Sequence, residues 1–147
     1  MPAGRAHRPF NAGLLAWIRL VRVFQKIDRA STESLRCHQL SPAQLDVLAK
    51  VGSSEGISQQ ELADALLVTK GNVCQLLDKM ETSKLIERRP AGRSNRLYLT
   101  SKGRSIFDTV VPSHDALVAG LLGSLSDDEQ HQLLRLLGRV DHALERA

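Results

Sequence analysis

The amino-acid sequence predicts a mainly α-helical fold with one small β-hairpin. Helix-start signatures occur at 41–44, 58–61 and 126–129, where a serine is followed three positions later by glutamine or glutamate. Apolar residues recur at helical spacing along most of the chain, and the pattern changes to weak alternation around a turn-rich segment at 90–95. With 147 residues and 42% hydrophobic content, the chain is suited to one compact unit.

The first predicted helix runs from about Asn11 to Arg36. Its apolar residues form a single stripe, and the basic side chains lie mostly off that stripe. The stripe comprises Leu14, Trp17, Ile18, Val21, Phe24 and Ile27. We therefore expect one long amphipathic helix.

Three shorter helices are predicted next. Ser41 caps the first, which has a proline at its first position and ends near Gly52. Ser58 opens the second with another capping box, and Thr69 is the predicted cap of the third. The third helix carries four apolar residues at core spacing: Val73, Leu76, Leu77 and Met80.

A β-hairpin follows these helices. Residues 85–89 and 96–100 alternate in polarity, and the segment 90–95 between them is rich in turn-forming residues. The three short helices and the hairpin, spanning about 40–100, together predict a winged helix-turn-helix. We expect the hairpin to form a wing with a basic tip.

Two longer helices complete the chain. One begins near Thr100 and is predicted to be kinked or interrupted at Pro112, and the other follows the serine cap at Ser126. Together with the first helix, they have more apolar surface than a small domain needs for its own core. We therefore predict that 11–37 and 101–146 form a shared dimerisation region of a homodimer.

Positive charge is concentrated in two segments, although the formal net charge is only +4. Lys and Arg exceed Asp and Glu by 7 to 2 in residues 1–36 and by 9 to 3 in residues 70–104, whereas acids predominate elsewhere. A concentrated basic surface is typical of proteins that bind a phosphate backbone. A solvated basic face would give the same pattern.

The N-terminal segment 1–10 carries Arg5 and Arg8 but lacks the apolar core of a secretory signal. No stretch of the sequence approaches the roughly 20 apolar residues of a membrane span. We predict a flexible basic arm at 1–10 on a cytoplasmic protein that does not bind membranes.

The helix that begins near Thr69 is the predicted recognition helix, because the second helix of a helix-turn-helix enters the major groove of DNA. Asn and Gln can bind adenine edges, Lys suits phosphates or guanine, and a glycine allows close approach. The predicted contacts on its outer face are Thr69, Lys70, Gly71, Asn72, Gln75 and Lys79. An ordinary solvent-exposed helix start is the alternative interpretation.

The wing carries four arginines within nine residues, which is dense for solubility alone. Arg93 at the tip is the predicted minor-groove contact, because a narrow minor groove has an enhanced negative potential. Arg88 and Arg89 lie at the base of the hairpin, where they are expected to touch phosphates or packing partners. The predicted wing contacts are Arg88, Arg89, Arg93, Asn95 and Arg96.

The run TKGNVCQLLDKMETSKLIERRPAGRSNRLYLTSKG at 69–103 resembles the recognition helix and wing of the MarR family. Its elements LLDKME, LIER and LYLTSKG are similar to that family's pattern, and the helix order extends the resemblance to about 11–146. The resemblance implies a triangular homodimer that binds a near-palindromic operator, most simply as a repressor. It also implies that a small aromatic ligand or an oxidant relieves DNA binding.

The sequence departs from the family pattern in three places. Ala91 stands where the wing usually has an aspartate that helps to hold the tip arginine, which implies a more mobile wing. Gln75 stands where arginine is common, and Gly71 and Asn72 stand where small hydroxyl residues are frequent. These changes are expected to alter base preference.

The resemblance also directs attention to regulatory residues. Cys37 lies between Arg36 and His38, whose positive charge would favour a redox-sensitive thiolate. We nevertheless expect Cys37 and Cys74 to be buried and unreactive. Trp17 and His38 are candidates for an effector pocket, although core packing is the simpler role for Trp17. No histidine pair has metal-ligand spacing, so we predict no metal and no cofactor.

Two other function classes compete with a DNA-binding regulator. A winged-helix module that binds only protein would be expected to replace the basic residues of the recognition segment with an apolar or acidic patch. An enzyme would require a nucleophile and base, a phosphate-binding glycine loop or clustered carboxylates, and the sequence has none of these motifs. We therefore predict a non-enzymatic regulator that binds double-stranded DNA.

Overall fold

A computed structural model describes residues 11–67 and 72–146. Within these residues, the helices and the hairpin follow the order predicted for a winged helix-turn-helix. The helices are α1 (Ala12–Leu35), α2 (Pro42–Ser53), α3 (Gln59–Ala65), α4 (Val73–Thr82), α5 (Ser101–Leu121) and α6 (Asp127–Glu145). The strands are β1 (Ile57–Ser58), β2 (Ile86–Ala91) and β3 (Ser94–Leu99). The mainly α-helical fold class with a hairpin wing is confirmed.

Serine caps begin three of the helices as the sequence predicts. Ser41 and Ser126 each form a complete capping box, in which the serine and the residue three positions later bond each other's backbone N–H. In the second box, the pKa of Glu129 is lowered, because its carboxylate accepts hydrogen bonds from the backbone and side chain of Ser126. Ser58 accepts from the backbone N–H of Glu61, which is half of the predicted box.

Helix α4, the predicted recognition helix, begins later than the sequence indicates. It starts at Val73 with Asn72 as its N-cap, and the Asn72 side chain makes no capping hydrogen bond. The predicted cap Thr69, together with Lys70 and Gly71, lies outside the described residues. The predicted core face is confirmed, since Val73, Leu77 and Met80 are buried and Leu76 packs against the core.

The wing belongs to a three-stranded antiparallel sheet in the order β1, β3, β2. Strand β1 is not predicted from the sequence, because two residues cannot show a period. The hairpin turn is also tighter than predicted, since the strands extend to the pair Ala91 and Ser94. Gly92 then adopts a positive φ of 63°, which a two-residue hairpin turn requires and glycine tolerates best.

The buried core joins α2, α3, α4 and the sheet to the C-terminal half of α1 and the middle of α5. Helix α5 runs without interruption through Pro112, so the predicted break does not occur. The first turn of α5 packs against the backbone at Leu85, and the Thr100 N–H just before this helix donates to the Leu85 carbonyl at 3.1 Å. Gly103 is buried at this crossing and leaves no room for a side chain.

The two ends of the chain contribute little to this core. Within the described chain, α6 contains no buried residue, although it carries several leucines. Trp17 is 61% exposed, so its predicted packing in the core of the single chain is wrong. It lies on the N-terminal half of α1, beyond the reach of the core. Among the described helices, none has both the length and the apolar character needed to cross a membrane.

Candidate nucleic-acid interface

Helices α3 and α4 and the wing surround an open groove of about 480 Å³. The groove brings together residues that are distant in sequence. Its polar and thiol-bearing lining residues are Gln59, Gln60, Asn72, Cys74, Arg93, Ser94 and Asn95. Three predicted contacts, Asn72, Arg93 and Asn95, therefore lie at one place. Gln59 and Gln60 are not among the predicted contacts, because in the sequence they belong to a capping box at the start of α3.

The outer face of α4 is available to a partner. Asn72, Gln75 and Lys79 are exposed, while the opposite face of the helix is buried against the core. These side chains supply amide donors and acceptors and one positive charge. This is the chemistry that reads base edges and binds phosphates in a major groove.

Arg93 stands at the tip of the wing. It is exposed, and it makes no side-chain hydrogen bond or ion pair with the described residues. Asn95, two residues further along β3, is half-buried. The tip therefore presents one unneutralised guanidinium group at the edge of the groove.

Arg88 has a different environment, since its side chain is only 20% exposed. Its Nη2 donates to the Asp78 carboxylate at 2.6 Å and to the Cys74 carbonyl at 3.2 Å. The backbone N–H of Arg88 donates to Glu81 at 3.3 Å. Arg88 thus ties the first wing strand to helix α4, as expected for a packing role at the base of the hairpin.

Arg89 and Arg96 are also engaged within the chain. Arg89 pairs with Glu87 at 2.5 Å and stacks over the Tyr98 ring at 4.0 Å. The hydrogen bond with Glu87 raises the pKa of Arg89 above its ordinary value, so this group remains charged. Arg96 donates to the Gly56 carbonyl at 3.0 Å, which joins β3 to the loop before β1.

Both cysteines are exposed, so the prediction that they are buried is wrong. Cys74 faces outward because the core takes the other side of α4, and its sulfur accepts from Gln59 Nε2 at 3.0 Å. Cys37 lies in a short turn at Arg36–His38 after α1, where its thiol is 3.5 Å from the Ser34 carbonyl. In the described residues, no group of three or more His, Cys, Asp or Glu side chains could hold a metal ion.

A second cavity of about 560 Å³ lies between α1, α2 and α5. The predicted effector residues Trp17 and His38 do not line it. Trp17 precedes the lining residue Phe24 by seven positions, or about 10 Å along α1, and His38 follows the end of that helix. The cavity is lined instead by residues such as Ser31 and His114, whose side chains form a 3.0 Å hydrogen bond.

Comparisons with known proteins agree with this geometry. A sequence model of the MarR family matches residues 38–96. The transcriptional regulator PecS of Dickeya dadantii is 30% identical over 131 residues, which cover 85% of this chain and 79% of PecS. The chain belongs to the MarR family. It is therefore a DNA-binding transcriptional regulator with a winged helix-turn-helix.

Solved structures of MarR-family proteins share its fold. AbsC of Streptomyces coelicolor superposes with a TM-score of 0.84 at 21% identity, covering 96% of this chain and all (100%) of AbsC. A mutant MarR from E. coli, in complex with operator DNA, has a TM-score of 0.78 and 27% identity over 90% of this chain and 99% of that one. The winged-helix fold of this MarR-family protein is thus found in a relative that binds DNA.

Proposed function

We propose that this MarR-family protein is a cytoplasmic repressor that binds a near-palindromic operator as a homodimer. The observation that carries the proposal is the groove in which the exposed face of α4 and the Arg93 tip lie on the same side of the molecule. An α-helix fits a major groove, and a wing arginine beside it can reach the adjacent minor groove. Each subunit would read one half-site.

The exposed apolar surface of the terminal helices supports the homodimer. Leu134 and Leu144 of α6 are 70% and 68% exposed, and Phe24 of α1 is 55% exposed. Surfaces of this kind are uncommon on monomers and typical of subunit interfaces. A two-fold dimer would place the two recognition helices at half-sites about 10–10.5 bp apart or a multiple of that spacing.

The direct experiment is a titration of the purified protein against DNA from upstream of its own gene, with random duplex of equal length as control. We expect selective binding by a dimer that weakens steeply as salt rises, because phosphate contacts release counterions. Equal affinity for both DNAs would contradict operator recognition. Absence of binding at low salt would favour the alternative of a protein-interaction module.

Replacement of Arg93 by Ala is expected to weaken operator binding about tenfold at low salt without changing the fold. The reason is that its guanidinium is exposed and unneutralised at the wing tip. The measurement is the dissociation constant at several salt concentrations, with Arg135→Ala on α6 as a control that removes the same charge elsewhere. Wild-type affinity of Arg93→Ala at every salt concentration would contradict the wing assignment.

Introduction of a charge at the proposed dimer interface is expected to produce monomers. Leu134→Glu would place a carboxylate in the apolar surface of α6, so the dimer dissociation constant should rise at least a hundredfold. Sedimentation velocity over a concentration series measures this change. Gln132→Glu adds the same charge at an exposed polar position of α6 and should leave the dimer intact. Equal dimer stability of the two variants would place the interface elsewhere.

The cavity between α1, α2 and α5 supports regulation by a small ligand. It lies between the helices proposed for dimerisation and the helix-turn-helix, so an occupant would contact both regions. A ligand that binds better to one arrangement of these regions would shift operator affinity. We therefore propose that ligand binding in this cavity releases the operator. The exposure of Cys37 and Cys74 is compatible with release by an oxidant as well.

A further inference from the structure

Gln59, the first residue of α3, is half-buried and lines the groove between α3, α4 and the wing. Its Nε2 donates to the Cys74 sulfur at 3.0 Å, across a sequence separation of 15 residues. A free glutamine side chain samples many rotamers, and this bond reduces that freedom. A carboxamide nitrogen carries two N–H groups, so Gln59 keeps a second donor after bonding the sulfur. The side chain is therefore oriented in advance for a partner in the groove.

The sulfur that accepts this bond is itself held in place. Cys74 lies in the first turn of α4, and its carbonyl accepts from Nη2 of Arg88 on the wing strand β2 at 3.2 Å. Three elements meet at this residue, because its side chain binds α3 and its backbone binds the wing. The orientation of Gln59 is consequently fixed relative to both α4 and the wing.

The position of the groove indicates its occupant. In the proposed complex, α4 lies in the major groove of the operator and Arg93 reaches the adjacent minor groove. One sugar–phosphate strand separates neighbouring major and minor grooves of a duplex, so that strand must pass between α4 and the wing tip. This is the space lined by Gln59, Arg93 and Ser94. Phosphate oxygens accept hydrogen bonds, and the second N–H of Gln59 can donate to one.

We propose that Gln59 donates a hydrogen bond to a phosphate of this strand and that Cys74 is its positioning residue. The inference rests on the proposed function, because it assigns a further contact in the operator complex. Gln59 is uncharged, so its contact releases no counterion, in contrast to a contact by Arg93. A phosphate carries no direct sequence information, so the contact stabilises complexes with operator and with random duplex equally.

Replacement of Gln59 by Ala tests the phosphate contact. The dissociation constants for operator and for random duplex are measured at several salt concentrations in reducing buffer. We expect affinity for both DNAs to fall about fivefold, the usual effect of one neutral hydrogen bond, with unchanged salt dependence. Gln132→Ala removes the same side chain from an exposed position of α6 and should retain wild-type affinity. Wild-type affinity of Gln59→Ala, or a loss confined to the operator, would overturn the proposal.

Variants of Cys74 test the positioning role. Cys74→Ala removes the acceptor and should lower affinity for both DNAs about threefold, because Gln59 is no longer oriented in advance. Cys74→Ser keeps an acceptor and should bind nearly as tightly as the wild type. In the Gln59→Ala background, Cys74→Ala should have little further effect. Equal effects of Cys74→Ala in both backgrounds, or equal affinities of the Ser and Ala variants, would overturn the positioning role.

The wild-type titration separates this inference from the proposed function on which it rests. Wild-type protein that binds neither DNA would overturn both. Selective binding of the operator by the wild type, together with unchanged affinity of Gln59→Ala, would overturn the inference alone.

Discussion

Gly103→Ala is expected to lower the free energy of unfolding by about 3 kcal/mol, the upper part of the range for overpacking. A Cβ at this position would lie 2.0 Å from the Leu85 carbonyl oxygen and 3.0 Å from its carbonyl carbon. These are backbone atoms, so a rotamer change cannot relieve the contact. Either the first turn of α5 or the strand entry at Leu85 must move.

The crossing is fixed by other bonds, which makes such a movement costly. Thr100 donates to the Lys84 carbonyl at 2.5 Å through its hydroxyl and to the Leu85 carbonyl through its backbone N–H. The same hydroxyl accepts from the Gly103 N–H at 3.0 Å and caps α5. Displacement of Gly103 therefore disturbs the helix cap and the start of the wing together.

Thermal and denaturant unfolding measure this effect, and the midpoint temperature should fall by roughly 10 °C. Gly120→Ala is the matched control, because nothing lies within 4 Å of a Cβ at that position of the same helix. The control should be neutral or gain up to about 1 kcal/mol from better helix propensity. A Gly103→Ala protein as stable as the control would mean that the helix shifts freely at this crossing.

The Gly103 contact shows where sequence reasoning stops. The serine caps and the apolar period predict the helices correctly, because both signals are local. The two-residue strand β1 and the exposure of Trp17 depend on how distant segments pack. The spacing of apolar residues along the sequence cannot predict either feature. The site is limited in the same way. The four arginines within nine residues predict a basic wing, but the sequence does not show which of them are bonded within the chain.

Arg88 illustrates this point, and its replacement by Met is expected to weaken operator binding about thirtyfold. We infer that Arg88 acts by holding the wing against α4 through Asp78 and the Cys74 carbonyl. Methionine keeps most of the apolar stem but makes neither bond. The wing would then lose its fixed orientation, and Arg93 at its tip would less often be in position to contact DNA. Circular dichroism should show unchanged helix content.

Asp78 distinguishes this positioning role from direct phosphate contact. If Arg88 bound DNA, Asp78→Asn would remove a competing negative charge and raise affinity. If Arg88 orients the wing, the same change weakens the Asp78 bond and lowers affinity, by about threefold because Asp78 is 63% exposed. We expect the lower affinity, and an increase in affinity would assign Arg88 to the DNA contacts.

A double-mutant cycle completes the argument. Because both groups act through one bond, Asp78→Asn should have little further effect once Arg88 is methionine. Phosphate contact by Arg88 predicts instead that the two single changes have effects of opposite sign on operator affinity. Salt dependence also distinguishes a phosphate contact from a positioning role. Arg93→Ala should reduce the slope of the logarithm of operator affinity against the logarithm of salt concentration by about one. Arg88→Met should change that slope less.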